Sequence, residues 1–351
     1  MRAIEFQRDQ NAQVVSIADP RPSAGEVVLR VLAAGICGSD VTALKGQHPF
    51  RIPPLISGHE AGGVVVERGS GVTSVELGDR VAIEPQVSCQ ICVLCASGHY
   101  YLCRSKVMLG VAEWPGALAE YVAVPASTVH VLPDSVADEL SALIEPIAVA
   151  AHAVRQTGDV YGTDVAVLGG GPIGALLVHQ LVRAGAASVT ATDPRAENRR
   201  LCAAMGASHT FDPTDARWQG DALSATRAGG FATVFVAATV PHVVDEAVSI
   251  TSPRGTIVQV ALLGKPINFT ISALQMSERR LIGSNNYSRL DFGAAIDTAA
   301  QDPLVVAGII NARGGLDRAA QYLNDKAQDI PDAIVKFVVD PRAETIERAA
   351  P

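Results

Sequence analysis

No apolar stretch in these 351 residues reaches the length needed to span a bilayer, and the N-terminal MRAIEFQRDQ lacks the apolar run and small-residue cleavage site of a secretory signal. Both absences point to a cytoplasmic protein. An excess of positive charge is missing too: 28 Lys and Arg stand against 36 Asp and Glu, for a net charge of -8. Such a balance repels nucleic acid and anionic lipid, so a small-molecule partner is expected, with no nucleic acid and no membrane. Internal repeats and low-complexity tracts are also absent. Cysteine is sparse, with 6 in the chain, yet four of them crowd between positions 89 and 103. In a reducing compartment that crowding favours a metal over disulfides.

A chain of this length, 48% of it hydrophobic, exceeds the usual single core and is expected to divide in two. Up to about Asp134, short segments punctuated by glycine and proline, such as EVVLRVLAAG, GGVVVERG and DRVAIE, predict a mostly β domain. From Gly162 the texture changes to the strand DVAVLG, the turn GGPIG, the helical LLVHQLVRAGA, the strand SVTATD and the helical ENRRLCAAMGA. This alternation predicts an α/β, doubly wound parallel sheet. Further strands are expected at ATVFVAA, GTIVQVAL and RRLIGSN, with helices over His242 to Thr251 and around Ala319 to Asn324, and a last strand in AIVKFVVD.

Three groups of residues carry chemistry. The first is Cys37, in GICGSD, together with His59 and Glu60, in GHEAGG. A thiolate and an imidazole suit zinc and suit magnesium or calcium poorly. Cys37 follows a strand and is read as preceding a Gly-Ser-Asp turn, which would let its sulfur project into a cleft. Second, Cys89-x2-Cys92-x2-Cys95-x7-Cys103 offers four thiolates within one loop, a spacing that lets each reach a single tetrahedral ion. The site would be closed and structural. Cys202, in the helical LCAAMGA, is read as core. Third, Gly169-Gly170-Gly171-Pro172-Ile173-Gly174 lies between a strand and a helix, the context a dinucleotide fingerprint requires. Gly169 permits the tight turn, Gly171 lets the backbone approach a pyrophosphate, and Gly174 permits close helix-to-strand packing. Asp193 follows nineteen positions after Gly174, where a carboxylate can bind ribose hydroxyls and repel a ribose phosphate. NAD is therefore expected over NADP, with Arg195, Arg199 and Arg200 as the residues that could reverse that preference.

Taken together, these motifs resemble the signature of the zinc-dependent medium-chain alcohol dehydrogenases, and with Glu145, in IEPIAV, they look most like the polyol, sorbitol-dehydrogenase-like branch. The resemblance implies a Rossmann dinucleotide domain over 151–286 and a GroES-like catalytic domain over 1–150, completed by 287–351. It also implies one catalytic and one structural zinc. Ordinary members use a second cysteine where this chain has Glu145, whereas the polyol branch uses Cys, His and a Glu. One thiolate and one carboxylate neutralise the ion, and a second direct carboxylate would leave the site negative. Glu60 is thus expected as the direct ligand, with Glu145 reaching the metal through water or exchanging with it.

The implied reaction passes a hydride between NAD and a polyol or other secondary alcohol, with a threonine 3-dehydrogenase-like or butanediol dehydrogenase-like enzyme as the alternative. Ser39 is the candidate for the first proton relay. Many relatives carry a His two positions beyond the Asp of this motif, but here Asp40 is followed by Val41 and Thr42, so the onward path lacks that side chain. Pocket walls are expected from Lys45 to Phe50, Val111 to Trp114 and Asn285 to Tyr287. A homodimer or homotetramer is expected through the last strand of the parallel sheet, near Arg280 to Asn285.

Overall fold

The computed structural model of the chain describes residues 1–111, 114–264, 266–267 and 269–343. Of the expected pocket walls, Ala112 and Glu113 lie outside the described residues. Contacts divide the chain into two compact units, one of Met1–Glu145 with the segment from Ser288 onward, and one of Pro146–Tyr287.

The first unit is built around strand Glu26–Gly35. It pairs antiparallel with Glu60–Arg68 along one side, and with Tyr121–Pro125 and Lys336–Val339 along the other. Hydrogen-bonded on both sides and covered, it reads as the nearly unbroken apolar run VVLRVLAAG rather than as an alternating strand. The whole sheet has seven strands, extended by Arg80–Ile83 and Val129–Val131 at one end and by Ile310–Gly314 at the other. Its core joins Ile4, Phe6, Leu29, Val31, Leu109 and Val124 to Leu316, Leu323 and Phe337 from the returning segment.

The expected turn after Cys37 is instead the first turn of a helix, Gly38–Leu44, with Cys37 as its N-cap. Cysteine is an unusual residue there, and the helix start is fixed from its third position: Asp40 Oδ2 accepts the Cys37 backbone N–H at 2.9 Å. This reciprocal half of a capping box is what the local sequence hid.

The second unit is a sheet of six parallel strands in the order 209–211, 188–192, 164–168, 231–236, 251–259, 280–283. Numbered along the chain this is 3-2-1-4-5-6, so the strand order reverses beside Asp164–Leu168, and a ligand crevice belongs at that strand's carboxyl end. Every residue of Asp164–Leu168 is buried, as a parallel strand with helices on both faces demands. Strand Arg280–Gly283 has a partner on one side only among the described residues, and Leu281 on it is 41% exposed.

Phe235 is fully buried in strand Phe231–Val236 at the middle of this sheet. We expect Phe235→Ala to lower stability by about 3–5 kcal/mol. Chemical denaturation reads this directly, and a midpoint equal to that of the native protein would contradict the packing described.

Candidate active site and metal centres

The pairing of Gly35 with Glu60 ends the contact between the two longest strands of the first unit. Cys37 lies just past one strand and His59 just before the other, so register alone draws the two ligand types together. The ligand atoms of Cys37, His59 and Glu60 lie within 4.8 Å of one another. A tetrahedral ion with bonds of about 2.0–2.3 Å needs donors less than about 4 Å apart, so small side-chain adjustments close the set on zinc.

The surroundings also favour a cation. Burial and the Arg51 guanidinium push the His59 imidazole down, but Asp40 and Cys37 outweigh them and raise its pKa to about 10. Asp40 is fully buried and accepts from Ser57 Oγ at 2.6 Å and Arg51 Nη1 at 3.1 Å, with His59 Nδ1 3.7 Å away. Burial alone would raise the Asp40 carboxyl, yet His59, Arg51 and Ser57 hold it well below the usual carboxylate range. Arg51 also donates to Ser39 Oγ at 3.1 Å and sits 3.0 Å from His59 Nδ1. The loop carrying it is pinned by the Arg51 backbone N–H, which donates to His48 Nδ1 at 3.1 Å.

Glu60 and Lys336 are each 2% exposed, and Lys336 Nζ donates to Glu60 Oε2 and, at 3.1 Å, to the Ile36 carbonyl. Burial pushes the Lys336 ammonium down, but Glu60, Cys37 and Asp40 together hold its pKa above the ordinary value. Glu145 stands apart from this trio: it is buried in the first turn of helix Ile144–Gln156 and is not among the three residues whose ligand atoms converge.

In the second cluster, Cys92 and Cys95 sulfurs are 3.5 Å apart, as are those of Cys103 and Cys89, while the Cys89–Cys95 and Cys92–Cys103 separations are 3.9 Å. Four sulfurs around zinc at about 2.3 Å stand about 3.8 Å from one another, so the residues fit the ion. A disulfide needs about 2.05 Å. Backbone N–H groups of Ile91 and Cys92 hold the Cys89 thiol below its ordinary range, which favours the thiolate a metal requires. Ile91 and Val93 in this lobe are 88% and 80% exposed, so it has little apolar core of its own.

At the carboxyl end of Asp164–Leu168 the chain turns through Gly169, whose φ of +103° favours glycine. A Cβ on Gly174 would collide with the Gly169 carbonyl oxygen, and one on Gly171 would meet nothing within 4 Å, leaving open space ahead of helix Pro172–Arg183. Pro172 and Ile173 form its first turn. Asp193, expected to face the ribose, is committed first to this loop: Oδ2 accepts from Gly170 N at 3.0 Å and Asn198 Nδ2 at 2.8 Å, and Oδ1 from Arg195 N at 2.8 Å. Arg199 is occupied by the Asp193 and Pro194 carbonyls and by Asp212. Arg200 is 77% exposed near Glu197, which leaves Arg195 as the cation beside the carboxylate, with its Nε 4.0 Å from Oδ1. Cys202 packs beneath the loop, 3.8 Å from the Gly170 carbonyl, and burial with Asp193 nearby pushes its thiol up to about 12.

Comparison with known proteins matches both halves. Residues 23–134 fit the family model described as Alcohol dehydrogenase GroES-like domain, and 172–301 that described as Zinc-binding dehydrogenase. A protein of Emericella nidulans described as a probable D-xylulose reductase A is 32% identical over 86% of this chain and 86% of its own. The chain belongs to the zinc-dependent medium-chain alcohol dehydrogenases. An L-threonine 3-dehydrogenase of Pyrococcus horikoshii is 32% identical over 72% of each chain. Among solved structures, a protein of Sinorhizobium meliloti 1021 assigned as a zinc-binding dehydrogenase and bound to NADP has 31% identity and a TM-score of 0.88, over 97% of this chain and 99% of its own.

For a dehydrogenase of this family, motif reading passed over Arg51 and Lys336. Arg51 had no motif to announce it, but Lys336 did leave a signal, as a single cation interrupting the apolar strand AIVKFVVD.

The two metal sets predict unequal losses. Cys92→Ser should remove one of two zinc ions and lower the thermal midpoint or the yield, whereas Cys37→Ser should remove the other and abolish turnover with the fold retained. Metal analysis finding a single zinc in the active native protein would contradict this division.

Proposed function

We propose that the chain oxidises a polyol or another secondary alcohol with NAD, and runs the reverse reduction, using the Cys37, His59 and Glu60 set as its catalytic zinc site. The observation that carries this reading is the convergence of those three ligand atoms without Glu145, a Cys, His and Glu set rather than one with two cysteines. The Emericella nidulans relative, described as a probable D-xylulose reductase A, supports the polyol class.

Zinc held there would supply Lewis acidity that lowers the pKa of the substrate hydroxyl. Ser39 would take up the hydroxyl proton, and a bound nicotinamide would supply the hydride acceptor. Arg51 already donates to Ser39 Oγ, which fixes the hydroxyl's direction and stabilises the oxygen as its own proton moves on. With Val41 and Thr42 following Asp40, this segment offers no imidazole to carry the proton onward from Ser39. Asp40 orients His59 and keeps the buried Arg51 neutralised. Glu145 acts from outside the trio, through water or by exchange with it.

On this reading the loop Gly169 to Gly174 carries the pyrophosphate. Asp193 braces the loop and offers its remaining lone pair to a ribose hydroxyl, which favours NAD; Arg195 beside it is the residue through which NADP is tolerated. The unit containing the metal sets is the catalytic domain and the parallel sheet is the dinucleotide domain. A threonine-type enzyme is the second reading, supported by the Pyrococcus horikoshii relative. A cation for the amino-acid carboxylate is what it requires, and Arg51 is already committed to Asp40.

Among the described residues no helix is long and apolar enough to cross a membrane, and the acidic balance disfavours nucleic acid, which together support a cytoplasmic enzyme of small alcohols. The half-paired strand Arg280–Gly283 supports a homodimer or homotetramer.

A panel of polyols, vicinal diols and threonine, followed at the NADH absorbance, should give its highest kcat/KM with a polyol or diol. Preference for threonine would overturn the substrate class and leave the family intact. Asp193→Ala should erode the preference for NAD, and equal efficiency with NADP in the native enzyme would refute the cofactor reading. Light scattering should give the mass of a dimer or tetramer, and a monomer would remove the edge-strand role.

A further inference from the structure

Behind the metal set lies a cation that the reaction scheme has not used. Lys336 belongs to the returning strand Lys336–Val339 and is one of the largest fully buried side chains in the protein, at 2% exposed. Its ammonium donates to Glu60 Oε2 and to the Ile36 carbonyl. Room for this pair depends on Gly35: a Cβ there would collide with Glu60 Oε2 and stand 3.1 Å from Lys336 Nζ. The fold thus excludes a side chain from position 35 and fills the space with a buried ion pair. Such a pair is costly to bury, and well-packed apolar groups would serve stability as well or better. A role beyond stability is called for.

Charge supplies it. Cys37 and Glu60 neutralise a divalent ion, and Asp40 and Arg51, paired at 3.1 Å, neutralise each other. Among the charges in contact with the trio, with Glu145 standing outside it, Lys336 is left over. With it the trio and these partners are one unit positive before substrate arrives and neutral once a substrate oxygen has given up its proton. Without it the site would be neutral at rest and negative at the moment of hydride transfer, in a low-dielectric setting where that difference is large.

We propose that Lys336 is a positioning residue that occupies one carboxylate oxygen of Glu60, leaves the other free for the metal, and supplies the net positive charge that lets the site accept an oxyanion. This rests on the reading of Glu60 as a direct ligand. Two effects of opposite sign follow. A cation close to the metal weakens metal binding and strengthens anion binding, so its removal should tighten zinc while loosening anions. A purely structural lysine would, when removed, weaken both.

The test uses the full-length holoenzyme. Zinc retention is followed against a chelator, and azide binding by visible absorption after cobalt is exchanged into the Cys37 site. Lys336→Met should resist the chelator about tenfold better than the native protein and bind azide about tenfold more weakly. Because that variant leaves Glu60 buried without its partner before metal loading, two more variants complete the cycle. Glu60→Gln gains one positive charge and should bind azide more tightly than the native protein. The double variant Glu60→Gln with Lys336→Met restores the native net charge without a buried unpaired charge, and should bind azide within about threefold of native. Azide affinity that follows this order supports the proposal. Weaker azide binding in all three variants, or a loss of zinc in Lys336→Met, overturns it. Glu60→Gln with unchanged chelator resistance would instead remove Glu60 from the ligand set, and the ordering of azide affinities would still report on Lys336.

Discussion

The antiparallel register between Glu26–Gly35 and Glu60–Arg68 is the constraint on which the rest of this protein depends. A slip of one residue would turn every side chain of a strand to the opposite face, moving Cys37 away from His59 and Glu60. The register is secured by burial on both sides of the central strand. It is secured again at Gly62, where any side chain would press against Ser141 and the Val81 carbonyl. The metal set is therefore held by a sheet rather than by a flexible loop, and a rigid scaffold of this kind is what catalytic geometry needs.

Around that register the protein buries an unusual concentration of charge: Asp40, Arg51, Glu60 and Lys336 are all under 5% exposed. Each has a partner of opposite sign within the same network. One pair joins positions 276 apart and the other positions eleven apart, and between them they contact Ser39, His59 and Glu60. The proposed roles of Arg51 and Lys336 rest on this network, which sets both the direction and the charge of the groups around the trio.

Much of this was legible in the sequence because the signals are local. The four cysteines fall at metal spacing in one loop, His59 and Glu60 are adjacent, and Gly169 to Gly174 sit between an apolar strand and an amphipathic helix. The alternation of strand and helix likewise marked the doubly wound sheet. What escaped was whatever depends on partners that no local motif brings together. Lys336 reaches Glu60 across 276 positions, and Arg51 gains meaning only when folding sets it between Asp40 and His59. The helix after Cys37 was hidden for a different reason: its start is fixed by Asp40 reaching backward, not by a conventional capping residue at its head. Asp193 shows the limit of spacing arguments, since the carboxylate directly follows strand Ser188–Thr192 but accepts three hydrogen bonds, from the glycine loop and from the start of the next helix.

The returning strand Lys336–Val339 has a temporal consequence. A ribosome delivers Cys37, His59 and Glu60 first, and the lysine that pairs with Glu60 only 276 positions later. Until then Glu60 must remain solvated, because closing the back of the site would strand a carboxylate in an apolar interior. A chain truncated during translation before this strand thus lacks the countercharge that seals the site. Synthesis of this strand acts as a checkpoint on closure of the site.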